Sequence, residues 1–165
     1  MIGAIIGVGP RTGTSRVMQM LTEAGFNTHY HEDTVPDSDR IGGHYETPPA
    51  KLHELDNVIA KVWPHNVDKV LITHAVFLVR DRESQIRSIA EQAEREKIEI
   101  ACAESIIDGC ITRLDGLMIP EVLGVRTHEI DDRIDDICRF FMGGGYHATS
   151  GGSSRSSVGW SVHCH

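Results

Sequence analysis

The residues best suited to chemistry lie near the N-terminus, where a short apolar run breaks into glycine and hydroxyl residues. Residues 4–16 read Ala-Ile-Ile-Gly-Val-Gly-Pro-Arg-Thr-Gly-Thr-Ser-Arg. An apolar run, a small polar stretch and then an amphipathic segment predict a strand, a tight loop and a helix. Backbone N–H groups in such a loop point inward, and the helix presents its positive end to the same place. The pattern therefore predicts a site for a phosphate or sulfate group.

The side chains of this loop add to the same prediction. The candidate anion-binding residues are Arg11, Thr12, Gly13, Thr14 and Ser15. The arginine supplies a positive charge with a forked set of donors, and the hydroxyl groups supply further donors. The glycine lets the backbone approach an anion closely. A glycine-bearing turn that binds nothing is the alternative interpretation.

The residue order differs from that of ATP- or GTP-hydrolysing phosphate loops. Those loops have a lysine directly after the last glycine, where this chain has Thr14, and a first glycine where it has Val8. The basic residue instead lies two places before the glycine, at Arg11. A small nucleotide kinase of the same fold remains a second hypothesis, and Thr14 weakens it.

Strand-like and helix-like segments alternate along the chain. The predicted strands are 1–8, 27–31, 57–63, 75–79 and 120–125, and the predicted helices are 14–24, 47–55, 82–97, 98–118 and 131–142. This alternation predicts a three-layer α/β/α fold with a mainly parallel sheet of about five strands. Together with the loop at 7–15, it resembles the fold of P-loop nucleoside triphosphate hydrolases. We expect one domain at 1–143 and a glycine- and serine-rich tail at 144–165.

Apolar spacing also predicts which helix faces are buried. For the helix at 82–97 the predicted core residues are Ile86, Ile89, Ala90 and Ala93. For the helix at 98–118 they include Ile107, Cys110, Ile111 and Leu114. These faces should pack against the sheet.

Composition limits the possible classes of protein. The 165 residues, 40% hydrophobic and 24% charged, suit one ordinary globular domain. The net charge of −8 argues against a general nucleic-acid binder. No apolar run is long enough to cross a bilayer, so we expect a cytoplasmic protein without a membrane partner. The cysteines are scattered and the histidines lack paired metal-ligand spacing, so we expect reduced thiols and no metal site.

A second polar motif follows the apolar run at 75–79. Arg80 ends that run, and Ser88 lies eight residues later on the next predicted helix. Arg80 would project from the carboxyl end of its strand, where ligands of open α/β sheets bind. An arginine and a serine near a helix start are also common as solvated or capping residues.

Together these motifs resemble the sulfotransferases that use 3′-phosphoadenosine 5′-phosphosulfate as the sulfuryl donor. The order Pro-Arg-Thr-Gly-Thr-Ser at 10–15 is similar to that family's loop Pro-[Lys/Arg]-Ser-Gly-Thr-Thr. Arg80 and Ser88 match the spacing of the pair with which the family grips the 3′-phosphate. Residues 59–64 look like the family's strand ending in lysine, which would place Lys61 near the transferring sulfuryl group. The likeness covers most of the first 143 residues.

The resemblance implies how the donor nucleotide is held. The loop at Arg11 and the pair at Arg80 would form two separated pockets for opposite ends of one adenine nucleotide. In the tail, Arg155 lies in a segment that looks like the family's late arginine-to-Gly-x-Trp segment, which closes over the nucleotide. Arg155 would then be a third phosphate contact, and plain disorder of the tail is the alternative.

The resemblance also implies catalytic roles. Arg11, Thr14, Ser15 and Lys61 would stabilise charge on the leaving nucleotide, without a requirement for magnesium. Cytosolic members have a histidine two residues after the lysine, where this chain has Trp63.

That substitution puts histidine catalysis in doubt and moves attention to a carboxylate. Members acting on protein tyrosine use a glutamate after the second strand, and Glu32 lies 21 residues after Arg11. Burial could raise its pKa toward that of a general base. Glu46 and His65 are reserve candidates, and a solvated loop carboxylate is the alternative for Glu32.

The leading hypothesis is transfer of a sulfuryl group to a hydroxyl or amine acceptor. The acceptor could be a small molecule, a glycan or a peptide. A small nucleotide kinase is one alternative, and a non-catalytic nucleotide-binding module of the same fold is another. Binding of 3′,5′-adenosine bisphosphate without magnesium would favour the first over the kinase.

Overall fold

The structure is a computed structural model that describes residues 2–29, 47, 49–69, 71–97 and 102–146. Within them, five parallel strands form one sheet in the order β2-β3-β1-β4-β5. The strands are β1 (Ile2–Gly7), β2 (Thr28–His29), β3 (Val58–Lys61), β4 (Ile72–Val79) and β5 (Glu121–Arg126). The predicted α/β class and the parallel sheet of five strands are confirmed.

Five α-helices and two 3₁₀ helices connect the described strands. The α-helices are α1 (Thr14–Glu23), α2 (Pro49–Leu52), α3 (Arg82–Glu96), α4 (Ala103–Leu114) and α5 (Ile130–Gly143). The 3₁₀ helices are Pro64–Lys69 and Thr127–Glu129. The 3₁₀ helix Pro64–Lys69 lies between β3 and β4 in the chain.

The helices lie on both faces of the sheet, consistent with a three-layer arrangement. Adjacent residues of β1 point to opposite faces, as the pleat of a strand requires. On one face α1 and α5 pack over a core that includes Ile5, Val17, Met18, Leu21, Ile137 and Phe141. On the other face α2, the first 3₁₀ helix and the end of α4 cover Ile2, Ala4, Ile6, Leu52, Val67 and Ala75.

The order of the strands fixes where a ligand can enter. The chain leaves β1 toward β2 and β3 on one side, and it leaves β4 toward β5 on the other. β1 and β4 are neighbours, and the connections that follow them lead to opposite sides of the sheet. Ligands of open α/β sheets bind at such a switch point. Both sequence motifs lie there, one directly after β1 and the other directly after β4.

Two details of the long helices differ from the prediction. α4 ends at Leu114 rather than at 118, because Gly116 adopts a φ of 78° and the helix cannot continue through it. The start predicted at 98 lies outside the described residues. Ile111, predicted in the core, is 45% exposed.

The buried face of α3 is also rotated from the predicted one. Ile89 is buried as predicted, but Ala90 is exposed. Gln85 and Ser88 take the buried positions beside it, because this part of α3 faces the loop after β1 rather than an apolar surface.

The packed core continues past the expected domain end at 143. Tyr146 is buried against Phe141, with ring centroids 5.7 Å apart, and its hydroxyl lies 2.9 Å from Thr73 Oγ1. Burial raises the pKa of this phenol above its usual value. Among the described helices, none has the length and apolar character needed to cross a bilayer.

Candidate anion-binding site

The loop between β1 and α1 is built on three left-handed backbone conformations. Gly9, Arg11 and Gly13 have φ values of 93°, 65° and 90°. A side chain on Gly13 would be strained by its φ of 90°, and its Cβ would lie 2.8 Å from Ile130 Cδ1, so that isoleucine would have to shift. Arg11 adopts the left-handed region at a cost of about 1–2 kcal/mol, which neighbouring contacts must offset.

The backbone N–H groups are the second feature of this loop. Within the described ranges, the backbone N–H groups of residues 11–16 donate to no backbone acceptor. The first helical hydrogen bond of α1 that involves the loop runs from Val17 N to Gly13 O at 3.2 Å. N–H groups of a loop and the first turn of the following helix form an anion site of the predicted kind.

The structure brings Arg80 and Ser88 to the same loop. Arg80 Nη1 donates to the carbonyl oxygen of Arg11 at 3.0 Å, and Arg11 Nε donates to Ser88 Oγ at 3.1 Å. Ser88 is only 7% exposed. The expectation of two separated pockets is therefore corrected: Arg11 bridges them, and the two motifs form one continuous group.

The start of α3 holds Arg80 in place. Asp81 is the N-cap residue of this helix, and its carboxylate accepts a hydrogen bond from Ser84 N at 2.9 Å. That hydrogen bond lowers the pKa of Asp81 below its usual value. The cap fixes the point at which the chain leaves β4, and so the direction from which Arg80 enters the site.

Lys61 reaches the loop from the other side of β1. β1 and β3 are neighbours, with Ile5 opposite Lys61, so the side chain lies at the carboxyl edge of the sheet. Lys61 Nζ donates to Ser15 Oγ at 3.2 Å. The predicted lysine is thus at the first turn of α1.

Thr47 is a neighbour of Lys61 that the sequence did not suggest. Its backbone N–H donates to the Lys61 carbonyl at 2.9 Å, and its side chain is fully buried. Within the described part of the chain, Thr47 Oγ1 has no hydrogen-bond partner. Only the spacing of Thr47 before the short helix α2 could have drawn attention to it.

Two more residues missed in the sequence hold the loop itself. The side-chain amide of Gln85 donates to the carbonyls of Val8 and Pro10, at 3.0 and 2.7 Å. Thr127 Oγ1 lies 2.8 Å from Thr12 O and 3.2 Å from Val79 O, and so ties the loop to the end of β4. Neither residue belongs to a motif, because each acts on backbone atoms distant in sequence.

Other predicted residues lie outside the described part of the chain. These are the candidate bases Glu32 and Glu46 and the tail residue Arg155. The third candidate base, His65, stacks on Trp63 with ring centroids 6.0 Å apart and an interplanar angle of 12°. This aromatic pair follows Lys61 at the end of β3.

The site concentrates positive charge in a chain with a net charge of −8. Arg11, Arg80 and Lys61 all contact the loop or the first turn of α1. Among the described residues, no group of three or more histidine, cysteine, aspartate or glutamate side chains could hold a metal ion. The arrangement can hold an anionic group through N–H donors, hydroxyl donors and cationic side chains together.

The chain was compared with protein families, curated proteins and solved structures. No family model, no curated protein and no solved structure matches the chain.

Proposed function

We propose that this chain is a sulfotransferase built on a P-loop type of fold. It would move a sulfuryl group from 3′-phosphoadenosine 5′-phosphosulfate to a hydroxyl or amine acceptor. One observation carries the proposal: Arg11, Arg80 and Ser88 form a connected group beside the loop after β1, and Lys61 contacts the helix that follows it. These are the residues to which the sequence resemblance gives roles.

The donor nucleotide would lie along the carboxyl edge of the sheet. The N–H groups at residues 11–16 and the hydroxyls of Thr14 and Ser15 would hold the 5′-phosphosulfate end. Arg80 and Ser88 would hold the 3′-phosphate, with Arg11 between the two ends. Two negative groups on one ligand suit a site with cationic side chains on both sides of the loop.

The chain's residues would act on charge that develops during transfer. A bond forms between the acceptor atom and sulfur while the bond from sulfur to the bridging oxygen of the nucleotide breaks. Lys61 and Ser15 lie where they could stabilise the negative charge on that oxygen. A sulfuryl group carries less charge than a phosphoryl group, so these donors can suffice without magnesium.

The acceptor's proton must pass to a base as the new bond forms. We propose Glu32 for this role, because it follows β2, whose carboxyl end lies at the same edge as that of β3. Glu46 and His65 are the reserve candidates. Trp63 and His65 lie beyond Lys61 and would border the acceptor, whether it is a small molecule, a glycan or a peptide.

The test is transfer of labelled sulfuryl from the donor nucleotide to a panel of phenols, sugars and tyrosine peptides. We expect a labelled product whose formation is unaffected by a magnesium chelator and is lost in Glu32→Gln. Magnesium-dependent phosphoryl transfer from ATP would instead assign a kinase. Nucleotide binding with no transfer to any acceptor would instead assign a non-catalytic binding module.

A further inference from the structure

We propose that Gln85 is the positioning residue of the anion-binding loop. It holds the carbonyl groups of Val8 and Pro10 and thereby aims the N–H of Arg11 at the 5′ end of the nucleotide. This inference rests on the proposed function, because it assumes that the loop holds the phosphate at that end. Gln85 itself would not touch the ligand.

The geometry of Gln85 is specific to this task. Its side chain is 2% exposed, and its Nε2 atom donates to both Val8 O and Pro10 O. Its two amide hydrogens are thus donated one to each of two carbonyls of the same loop. The residue between those carbonyls is Gly9, where a Cβ would lie 2.7 Å from Nε2. The glycine therefore leaves the space through which the amide reaches the backbone.

Gln85 completes a continuous set of restraints on the loop carbonyls. Gln85 donates to the carbonyls of Val8 and Pro10. The carbonyl of Gly9 accepts from the Thr12 side chain, that of Arg11 from Arg80, and that of Thr12 from Thr127. In a planar trans peptide the C=O and the next N–H point in opposite directions. The N–H of Gly9 already donates to Gly7 O at 2.8 Å, and Pro10 has no N–H. The bonds to the carbonyls of Pro10, Arg11 and Thr12 therefore fix the orientation of the next three N–H groups, those of residues 11–13.

The bond to Pro10 O has the largest consequence. The next N–H belongs to Arg11, the residue that lies in the left-handed region with a φ of 65°. A non-glycine residue keeps that conformation only when its surroundings determine it. Loss of the Gln85 amide would let the peptide between Pro10 and Arg11 rotate, and one N–H would leave the anion site.

An apolar side chain of similar length could fill the same volume. Burial of an amide costs free energy unless hydrogen bonds compensate it, so packing alone does not require glutamine here. Among the described contacts of Gln85, its side-chain amide donates hydrogen bonds to carbonyls of the loop and to no other group. The residue therefore serves the geometry of the site rather than the volume of the core.

The test compares Gln85→Met with Gln19→Met. Gln19 lies on α1, and within the described residues its amide bonds to Glu23, so this control makes the same chemical change away from the loop. The probes are 3′,5′-adenosine bisphosphate and 3′-AMP, measured by competition against a fluorescent nucleotide. For Gln85→Met we expect affinity for the bisphosphate to fall about tenfold and affinity for 3′-AMP to change less than about twofold.

A merely structural role would not give that split. Equal losses for both nucleotides, or values equal to those of Gln19→Met, would overturn the inference and leave the proposed function standing. Failure of the unaltered chain to bind either nucleotide would overturn the proposed function, and the inference with it. If Gln85→Met does not fold, Gln85→Leu also removes the donors without adding a charge and should show the same split.

Discussion

Replacement of Lys61 with methionine is expected to lower turnover by about 100- to 1,000-fold and to change affinity for the donor, 3′-phosphoadenosine 5′-phosphosulfate, by less than about threefold. Lys61 Nζ lies 3.2 Å from Ser15 Oγ at the first turn of α1. In the bound donor the bridging oxygen is shared with sulfur and carries little charge, and negative charge develops on it during transfer. The ammonium group should therefore act on the transition state rather than on the bound donor. Methionine keeps the apolar stem of the side chain and removes the charge. Steady-state kinetics and calorimetry on the same preparation measure the two effects.

Lys97→Met is the matched control for that experiment. Lys97 is exposed at the C-terminal end of α3, and its replacement removes the same charge far from β3. Turnover of the control should stay within about twofold of the unaltered chain. If Lys61→Met instead lost nucleotide affinity as much as turnover, Lys61 would be a ground-state binding residue, and its catalytic role would be wrong.

Replacement of Arg80 with alanine is expected to weaken binding of 3′,5′-adenosine bisphosphate by about 30- to 100-fold. Two interactions are lost together. The guanidinium group no longer pairs with the 3′-phosphate, and its hydrogen bond to Arg11 O disappears. Binding of 5′-AMP, which lacks the 3′-phosphate, should weaken by less than about fivefold, because only the restraint on the loop is lost. Calorimetry with both nucleotides separates the two contributions.

Arg87→Ala provides the control for long-range charge. Arg87 is exposed on α3, one residue before Ser88, and its removal changes the net charge by the same amount. We expect the affinity for either nucleotide to change by less than about threefold, because an exposed charge is screened by salt. A loss of 5′-AMP binding in Arg80→Ala as large as the loss of bisphosphate binding would show that Arg80 supports the loop and does not read the 3′-phosphate.

The sheet could be predicted because its strands are short apolar runs that end in glycine or charged residues. β1 and β4 are the strongest examples, since both are central strands with residues buried on each face. The position of the site could be predicted from the same fact. Parallel strands end at one edge, so Arg11 after β1 and Arg80 after β4 had to approach each other.

The contacts that shape the loop could not be predicted in this way. A helical period assigns apolar residues to the core, and it therefore gave Ala90 the buried position next to Ile89. The face of α3 that meets the loop is polar, because its partners are the carbonyls of Val8 and Pro10 rather than apolar side chains. A buried glutamine is indistinguishable from a solvated one until those carbonyls are placed beside it.

The relation between the two phosphate motifs also required the structure. The sequence placed Arg11 and Arg80 at opposite ends of one ligand, in separate pockets. Arg11 has a left-handed backbone conformation. In this conformation its guanidinium group donates a hydrogen bond to Ser88, and its carbonyl accepts one from Arg80. That backbone conformation is rare for a residue other than glycine, and composition gives no sign of it.

The most direct test of the central claim is calorimetric titration of the unaltered chain with 3′,5′-adenosine bisphosphate in the presence of EDTA. The claim is that one nucleotide with phosphates at both ends is held by the loop after β1 together with Arg80 and Ser88. It predicts a single site, tight binding without magnesium, and weaker binding when either phosphate is removed from the nucleotide. No binding in EDTA, together with binding of ATP that requires magnesium, would contradict it.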